Sequence, residues 1–314
     1  MKRHSVIALA GGIGAARFLD GLTRVVPPAR VFVISNTGDD TEMHGLHISP
    51  DLDTVTYTLA GLSDSRRGWG VRGETFRCLE ALGKLGGATW FQLGDRDLAT
   101  HVYRTERLRL GASLAEVTSE ITKALKVRSA IVPMSNERVR TKVSTPSGEL
   151  DFQTYFVKRR SRDKVLGIRL EGASDAAPAP GVIEAIDTAE AVVLCPSNPF
   201  ISIGPILSIA GIREAMRRRR DRVIGISPIV GGRALKGPAA RMMKSMRLRP
   251  SPAEVAKLFS DFMGVFVIDE LDRDCADRIE ALGVRPVVTN TIMTGLREKT
   301  ALARVVAKEM GIKA

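Results

Sequence analysis

The sequence predicts an α/β protein: a Rossmann-like, doubly wound and mainly parallel sheet with a helical and hairpin insertion. Three observations predict it. First, seven short runs are almost continuously apolar and rich in β-branched residues: Ser5–Ala10, Val31–Asn36, Ser129–Pro133, Ala191–Pro196, Arg222–Ile226, Val265–Asp269 and Pro286–Asn290. Parallel strands covered on both faces have this texture. Second, helical patterns lie between these runs, so the chain repeats a strand–helix–strand unit. Third, a glycine-rich turn, Gly11-Gly12-Ile13-Gly14, follows the first run, where such folds bring backbone N–H groups up to an anion.

Local signals place the remaining elements. Ser49-Pro50 sets a capping hydroxyl before a proline at the first helical position. Ser113 with Glu116, and Ser251 with Glu254, fit the capping box. Arg138–Ser144 and Leu150–Phe156 flank the turn-like residues 145–149 and read as a hairpin. Residues 173–180, Ala-Ser-Asp-Ala-Ala-Pro-Ala-Pro, read as a linker-like loop. The expected organisation is one Rossmann-like domain over residues 1–314, elaborated at roughly 55–180.

Bulk composition narrows the function. Of 314 residues, 44% are hydrophobic and 26% charged, enough for a sizeable core. The three cysteines are scattered and form no C-x-x-C pair, which disfavours structural zinc and a disulfide framework and points to a reducing, cytoplasmic setting. Met1-Lys2-Arg3-His4 runs directly into the first strand, unlike a signal peptide, and no apolar run is long enough to span a membrane. The net charge is +12. Its sharpest cluster, Arg217–Arg220 with Arg213 and Arg222, ends a helix, where cations complement the dipole. With no interleaved aromatic residue and no nucleic-acid motif, no nucleic-acid partner is expected.

Six segments could carry chemistry. The glycine turn departs from a dinucleotide fingerprint, because Arg17 stands where the third glycine belongs and the second strand ends at Asn36 instead of a ribose-binding acid. A Walker motif is absent too. Asn36-Thr37-Gly38-Asp39-Asp40 leaves the same sheet edge, so Asp39 and Asp40 are candidate Mg²⁺ ligands. In His47–Thr54, Asp51 and Asp53 fall in a helical first turn and diverge by about 200°, so one of them should reach the site. Arg96, between Asp95 and Asp97, offers a fork for phosphate. Ser197 and Asn198 follow an apolar strand and are candidates for a nucleotide pocket, as is the loop Ser227–Lys236. His44 and His47 lack a third matched metal ligand. Cys195, at a strand end with no histidine nearby, reads as structural.

In order along the chain, GGIGAARFLDGL, NTGDD, HISPDLDTVTYTL, GWGVRGET, LGDRDLATH, RSAIVPMSNERV, PSNPFISIGPIL and SPIVGGRALKGPA resemble the 2-phospho-L-lactate transferase family of deazaflavin coenzyme F-420 biosynthesis, which includes phosphoenolpyruvate transferases. The resemblance covers nearly the whole chain. It implies a Rossmann-like, Mg²⁺-assisted homodimer. The terminal hydroxyl of the deazaflavin Fo would attack the phosphorus of a guanosine diphosphate ester of a three-carbon acid, releasing GMP. The expected site then comprises Asp51 and Arg96 as catalytic residues. Gly11, Gly12, Gly14, Asn36, Thr37, Asp53, Thr54, Asp95, Ser197 and Asn198 would bind substrate, and Asp39, Asp40 and Asp51 would bind metal. A related family of nucleotide-sugar-binding regulators is the rival, separated from the transferases by SPDLDT and LGDRD. A nicotinamide oxidoreductase would need the missing ribose acid.

Overall fold

A computed structural model of the chain describes residues 5–64 and 66–312. Met1–His4, where the reading of the N-terminus began, lie outside the described residues.

All seven apolar runs enter one sheet: β1 (Val6–Ala10), β2 (Val31–Ser35), β3 (Ala130–Pro133), β4 (Ala191–Leu194), β5 (Val223–Ile226), β6 (Val265–Ile268) and β7 (Arg285–Val288). Their order across the sheet is β7-β6-β5-β4-β1-β2-β3, and every neighbouring pair is parallel. The chain winds outward from β1 to β3, returns to the other side of β1, and winds away through β7. The order therefore reverses between β1 and β4, the position at which doubly wound folds open a ligand crevice.

Alternation along each strand feeds two cores. Val6, Ala8 and Ala10 join one face with α1 (Gly12–Val25) and the helix Leu296–Glu309, while Ile7 and Leu9 join the opposite face. Each fully buried aliphatic side chain contributes roughly 1.5–3 kcal/mol over its exposed state. These layers therefore set the sheet rigidly enough to aim the loops at its carboxyl edge.

The hairpin is larger than its sequence suggests. Arg140–Thr145 is the central strand of three, paired antiparallel with Gly148–Asp151 and with Gly167–Glu171. The second strand stops at Asp151, short of the expected Phe156. Phe152 and Tyr155, three apart, are both buried against Val143, Val165 and Met242, a helical spacing that turns residues 154–158 into a π-helical turn. The region 55–180 is also not one elaboration, because β3 lies within it and separates the helical part from the three-stranded part.

Ser113 forms its reciprocal capping box, and Ser251 accepts from the Glu254 N–H. Ser49 precedes α2 (Pro50–Leu59) but makes no side-chain cap; its hydroxyl is diverted to Asp40 at 2.8 Å. The loop 173–180 buries Ala173, Ala176 and Ala179 against the core. The arginine run is internally satisfied more than solvated. Arg213 and Arg217 share Asp261, Arg218 pairs with Asp187, and Arg219 and Arg220 donate to carbonyl groups of Ala189 and Gly283.

Candidate active site

β1 and β4 deliver their loops side by side at the switch point. The Ser197 hydroxyl donates to the Gly11 carbonyl at 2.9 Å and lies 3.4 Å from the Gly11 N–H. A side chain on Gly14 would put its Cβ 2.2 Å from the Pro196 oxygen, and Gly12 has φ +74°, so the turn needs glycine for close approach and for backbone freedom. Beyond this turn opens a cavity of about 610 Å³ lined by Gly11, Gly12 and Gly14 together with Asp39, Asp51 and Ser202.

Asp39 and Asp51 meet behind the glycine turn. Asn36 Nδ2 lies 2.7 Å from Asp39 Oδ1, 2.8 Å from Asp51 Oδ2 and 3.1 Å from the Ile201 carbonyl. Two amide hydrogens thus serve three acceptors. Both carboxylates are buried, and no cation pairs with either among the described residues. Burial, and then the charge of Asp51, raises Asp39 well above the usual carboxylate range. Burial pushes Asp51 up to about 7, against hydrogen bonds from Asn36 and the Gly12 backbone. A buried carboxylate pair with no paired cation fits a hard divalent cation such as Mg²⁺.

Asp40 does not share this arrangement. Its Oδ2 lies 2.8 Å from Ser49 Oγ and 3.0 Å from His47 Nε2, and it lines, with Asp39, Arg138 and Arg140, a smaller cleft of about 130 Å³ and not the larger cavity. Of the Asp39–Asp40 pair expected to act together, only Asp39 joins Asp51. Asn36 sits behind the carboxylates, and Thr37 is buried away from the cavity wall. His44 and His47 lie on a short antiparallel ribbon, not on one helical face.

Asp53 follows the divergence expected of the helical first turn, yet it also lines the cavity. Arg104 grips both of its oxygens in a buried pair, with Nη1 3.0 Å from Oδ2. His101 lies between Asp53 and Asp97, 3.7 Å and 3.3 Å away, and Tyr57 donates to Asp97 at 2.7 Å. Burial alone would raise Asp97, but His101, Tyr57 and Arg104 together hold it below the usual carboxylate range. Asp53, Asp97 and His101 could converge on a metal. The commitment of Asp53 to Arg104 favours the Asp39–Asp51 pair instead. Thr54 lies on the cavity wall.

The expected Arg96 clamp is not formed. Neighbouring positions on a helix do not face each other, and Asp95 turns to the helix Arg77–Lys84, accepting from the Arg77 and Cys78 N–H groups at 3.0 Å. The exposed Arg96 guanidinium donates to the Arg72 carbonyl at 2.8 Å, and neither Asp95 nor Arg96 lies on the cavity wall. Ser197 and Asn198 do line it, although Ser197 is tied to Gly11 and Asn198 Oδ1 accepts from Phe200 N at 3.0 Å. Burial raises the Cys195 thiol, in keeping with its structural reading.

Lys236, from the candidate loop after β5, lies on the wall; no sequence motif assigns a role to the wall's aromatic residues or to its other cations. Both tryptophans of the chain, Trp69 and Trp90, line the cavity, with Phe91 edge-on to Trp90 at 5.8 Å. Arg17, Lys158, Arg160 and Lys236 supply cations. The two tryptophans in so aromatic-poor a chain were a usable signal. Arg17 had appeared only as the residue spoiling a dinucleotide fingerprint. The basic stretch around Arg160 follows a hairpin whose position over the switch point no local pattern encodes.

Fold and site together define the class: a Rossmann-like α/β protein with a cavity, lined by carboxylates, cations and aromatic residues, at the switch point of a parallel sheet. Comparison with known proteins makes this particular. The profile of 2-phospho-L-lactate transferase CofD matches residues 6–308. The chain is 42% identical over 305 residues to the phosphoenolpyruvate transferase of Streptomyces griseus, covering 95% of this chain and 96% of the relative. It is 39% identical over 312 residues to the 2-phospho-L-lactate transferase of Methanothermobacter thermautotrophicus, covering 99% and 100%. A solved UPF0052-family protein from Bacillus halodurans shares the fold, with a TM-score of 0.63 at 18% identity over 98% of this chain and 99% of that one. The chain belongs to the 2-phospho-L-lactate transferase family, and it is an enzyme, a transferase. Among the described residues no helix is long and apolar enough to cross a membrane.

Proposed function

We propose that the enzyme moves a phospho-three-carbon-acid group from its guanosine diphosphate ester to the terminal hydroxyl of the deazaflavin Fo, releasing GMP, in coenzyme F-420 biosynthesis. The new bond joins the acceptor oxygen to the phosphorus bearing the acid; the bond from that phosphorus to the oxygen of GMP breaks. The observation that carries this reading is the meeting of Asp39 and Asp51 beside the glycine turn, inside a cavity with an aromatic set and a cationic set of walls.

Each set suits one part of the reaction. Trp69, Trp90 and Phe91 offer flat apolar surface for the deazaflavin ring. Arg17, Arg160 and Lys236 offer positive charge for the diphosphate and the acid. Asp39 and Asp51 would hold Mg²⁺, which when bound neutralises charge on the transferring phosphoryl group. Asp51, on the cavity wall beside the glycine turn, orients the attacking hydroxyl and takes up its proton. Gly11 and Gly12 let ligand approach the backbone, and the Asp53–Arg104 pair fixes α2 so that Asp51 keeps its direction.

Both acids named for the relatives fit this scheme, and phosphoryl transfer itself depends on positioning and charge neutralisation more than on the acid. Calorimetry tests the ligand assignment. Fo and GDP should bind and NAD should not; NAD binding without Fo binding would sink the reading.

A further inference from the structure

We infer that a cationic collar outside the cavity steers the polyanionic donor into it. This inference rests on the guanylylated donor proposed above. Residues 158–164 hold five cations and one acid, and residues 233–249 hold six cations and no acid. These two short segments therefore carry +10 of the chain's net +12.

All eleven side chains are exposed. Among the described residues only Arg159 has a carboxylate partner, Asp163 at 2.8 Å. The Arg213–Arg220 run differs, being absorbed by Asp261, Asp187 and backbone carbonyls. One basic stretch is therefore used in holding the fold, and the other two share a single paired carboxylate, Asp163.

The two segments form one feature. Met242 packs with Tyr155 and Val165, and Arg241 donates to the Ser161 carbonyl at 2.5 Å. That contact holds an unusual turn: Arg160 and Ser161 are consecutive non-glycine residues at φ +55° and +53°. Backbone held in this region costs energy and persists where surrounding structure enforces it. Lys158, Arg160 and Lys236 then reach the cavity wall, and the remaining cations of both segments are exposed off that wall, within 13 residues of them in sequence.

Unpaired like charges around a cleft focus the field and raise the capture rate of an oppositely charged ligand, by about 10- to 1,000-fold at low ionic strength. Added salt removes the effect, since charges are screened beyond roughly 8 Å at physiological ionic strength. An acceptor with fewer charges than the donor gains less from the collar. The donor, with its diphosphate and carboxylate, gains most.

The test changes only cations off the cavity wall. Arg162, Lys164, Lys244 and Arg249 are replaced together by Glu, with a Lys164→Glu, Lys244→Glu pair as the milder variant and thermal melts as the check on folding. Stopped-flow fluorescence of the cavity tryptophans follows association of GDP and, separately, of Fo. The GDP association rate should fall at least about ten-fold at low ionic strength and lose most of its salt dependence. GDP dissociation and Fo association should stay within about two-fold of the unmodified chain. An unchanged GDP association rate and salt dependence would overturn the collar alone, as would equal slowing of Fo. No GDP binding by the unmodified chain would remove the nucleotide reading of the cavity and the collar with it.

Discussion

Asp39 and Asp51 accept from the same nitrogen, Asn36 Nδ2, at 2.7 Å and 2.8 Å. Two residues 12 positions apart in sequence are thereby brought together as a buried pair of carboxyl groups. The account's chemistry depends on that meeting, and so do its sharpest predictions.

Asp51→Asn and Asp53→Asn should separate. Asp51→Asn should abolish most transfer and leave the melting temperature equal or higher, because one of two crowded, buried acids is gone. Asp53→Asn should leave the buried Arg104 without its carboxylate, at a cost of about 3–5 kcal/mol. Steady-state kinetics and melts on both variants decide this. Normal activity in Asp51→Asn would remove it from the chemistry.

Stability of the metal-free chain should depend on pH with a definite sign. A carboxyl group whose folded pKa lies above its unfolded value, 3.8, favours folding while protonated, and that contribution is lost as pH rises through the folded value, about 7 for Asp51. The melting temperature should therefore fall between pH 5 and pH 8. Mg²⁺ should restore it most at the upper end, and Asp51→Asn should flatten the profile. Melts that rise over this range would contradict the pairing of the two carboxylates.

The two arginines should rank in the reverse of their sequence signals. Arg160→Ala removes a cation from the cavity wall and should weaken GDP binding by at least about ten-fold. Arg96→Ala removes a bond to the Arg72 carbonyl and should act weakly, through the loop before the helix Asp95–Arg109. Titration calorimetry on both proteins checks the order.

Gly11→Ala should uncouple activity from folding. Its Cβ would fall 2.6 Å from Ser202 Cβ and 2.7 Å from Asp51 Oδ2, so something must shift by a good fraction of an ångström. Overpacking of this kind costs roughly 1–3 kcal/mol, whereas displacing a reacting group by about 1 Å can cost a hundred-fold in rate. Activity should fall further than the melting temperature suggests; equal, small effects would argue against Asp51 as the reacting carboxylate.

The fold was legible because its signals are local. Continuous runs such as Val31–Ser35 and Val265–Ile268 are what a strand buried on both faces demands, and they needed no knowledge of partners. Helical geometry turns Asp51 and Asp53 to different partners, Asn36 and Arg104, but both line the cavity, where the sequence led one to expect a single carboxylate. The failures are tertiary. Nothing near Asp40 in sequence says that Ser49 will leave its capping position to hold it. Adjacency in Asp95-Arg96-Asp97 suggested a clamp, but the helix splays the three apart. Trp90, Arg160 and Lys236 become neighbours only once the hairpin and the loop after β5 fold over the switch point.

Group transfer to a deazaflavin leaves a product whose mass identifies it, so mass spectrometry is the decisive measurement. The chain is incubated with Mg²⁺, Fo and the guanosine diphosphate ester of phospholactate or of phosphoenolpyruvate. The account predicts Fo enlarged by one phospho-acid group, an equal yield of GMP, and loss of both products with Asp51→Asn. Tight binding of Fo and GDP with no adduct from any guanylylated three-carbon acid would contradict it.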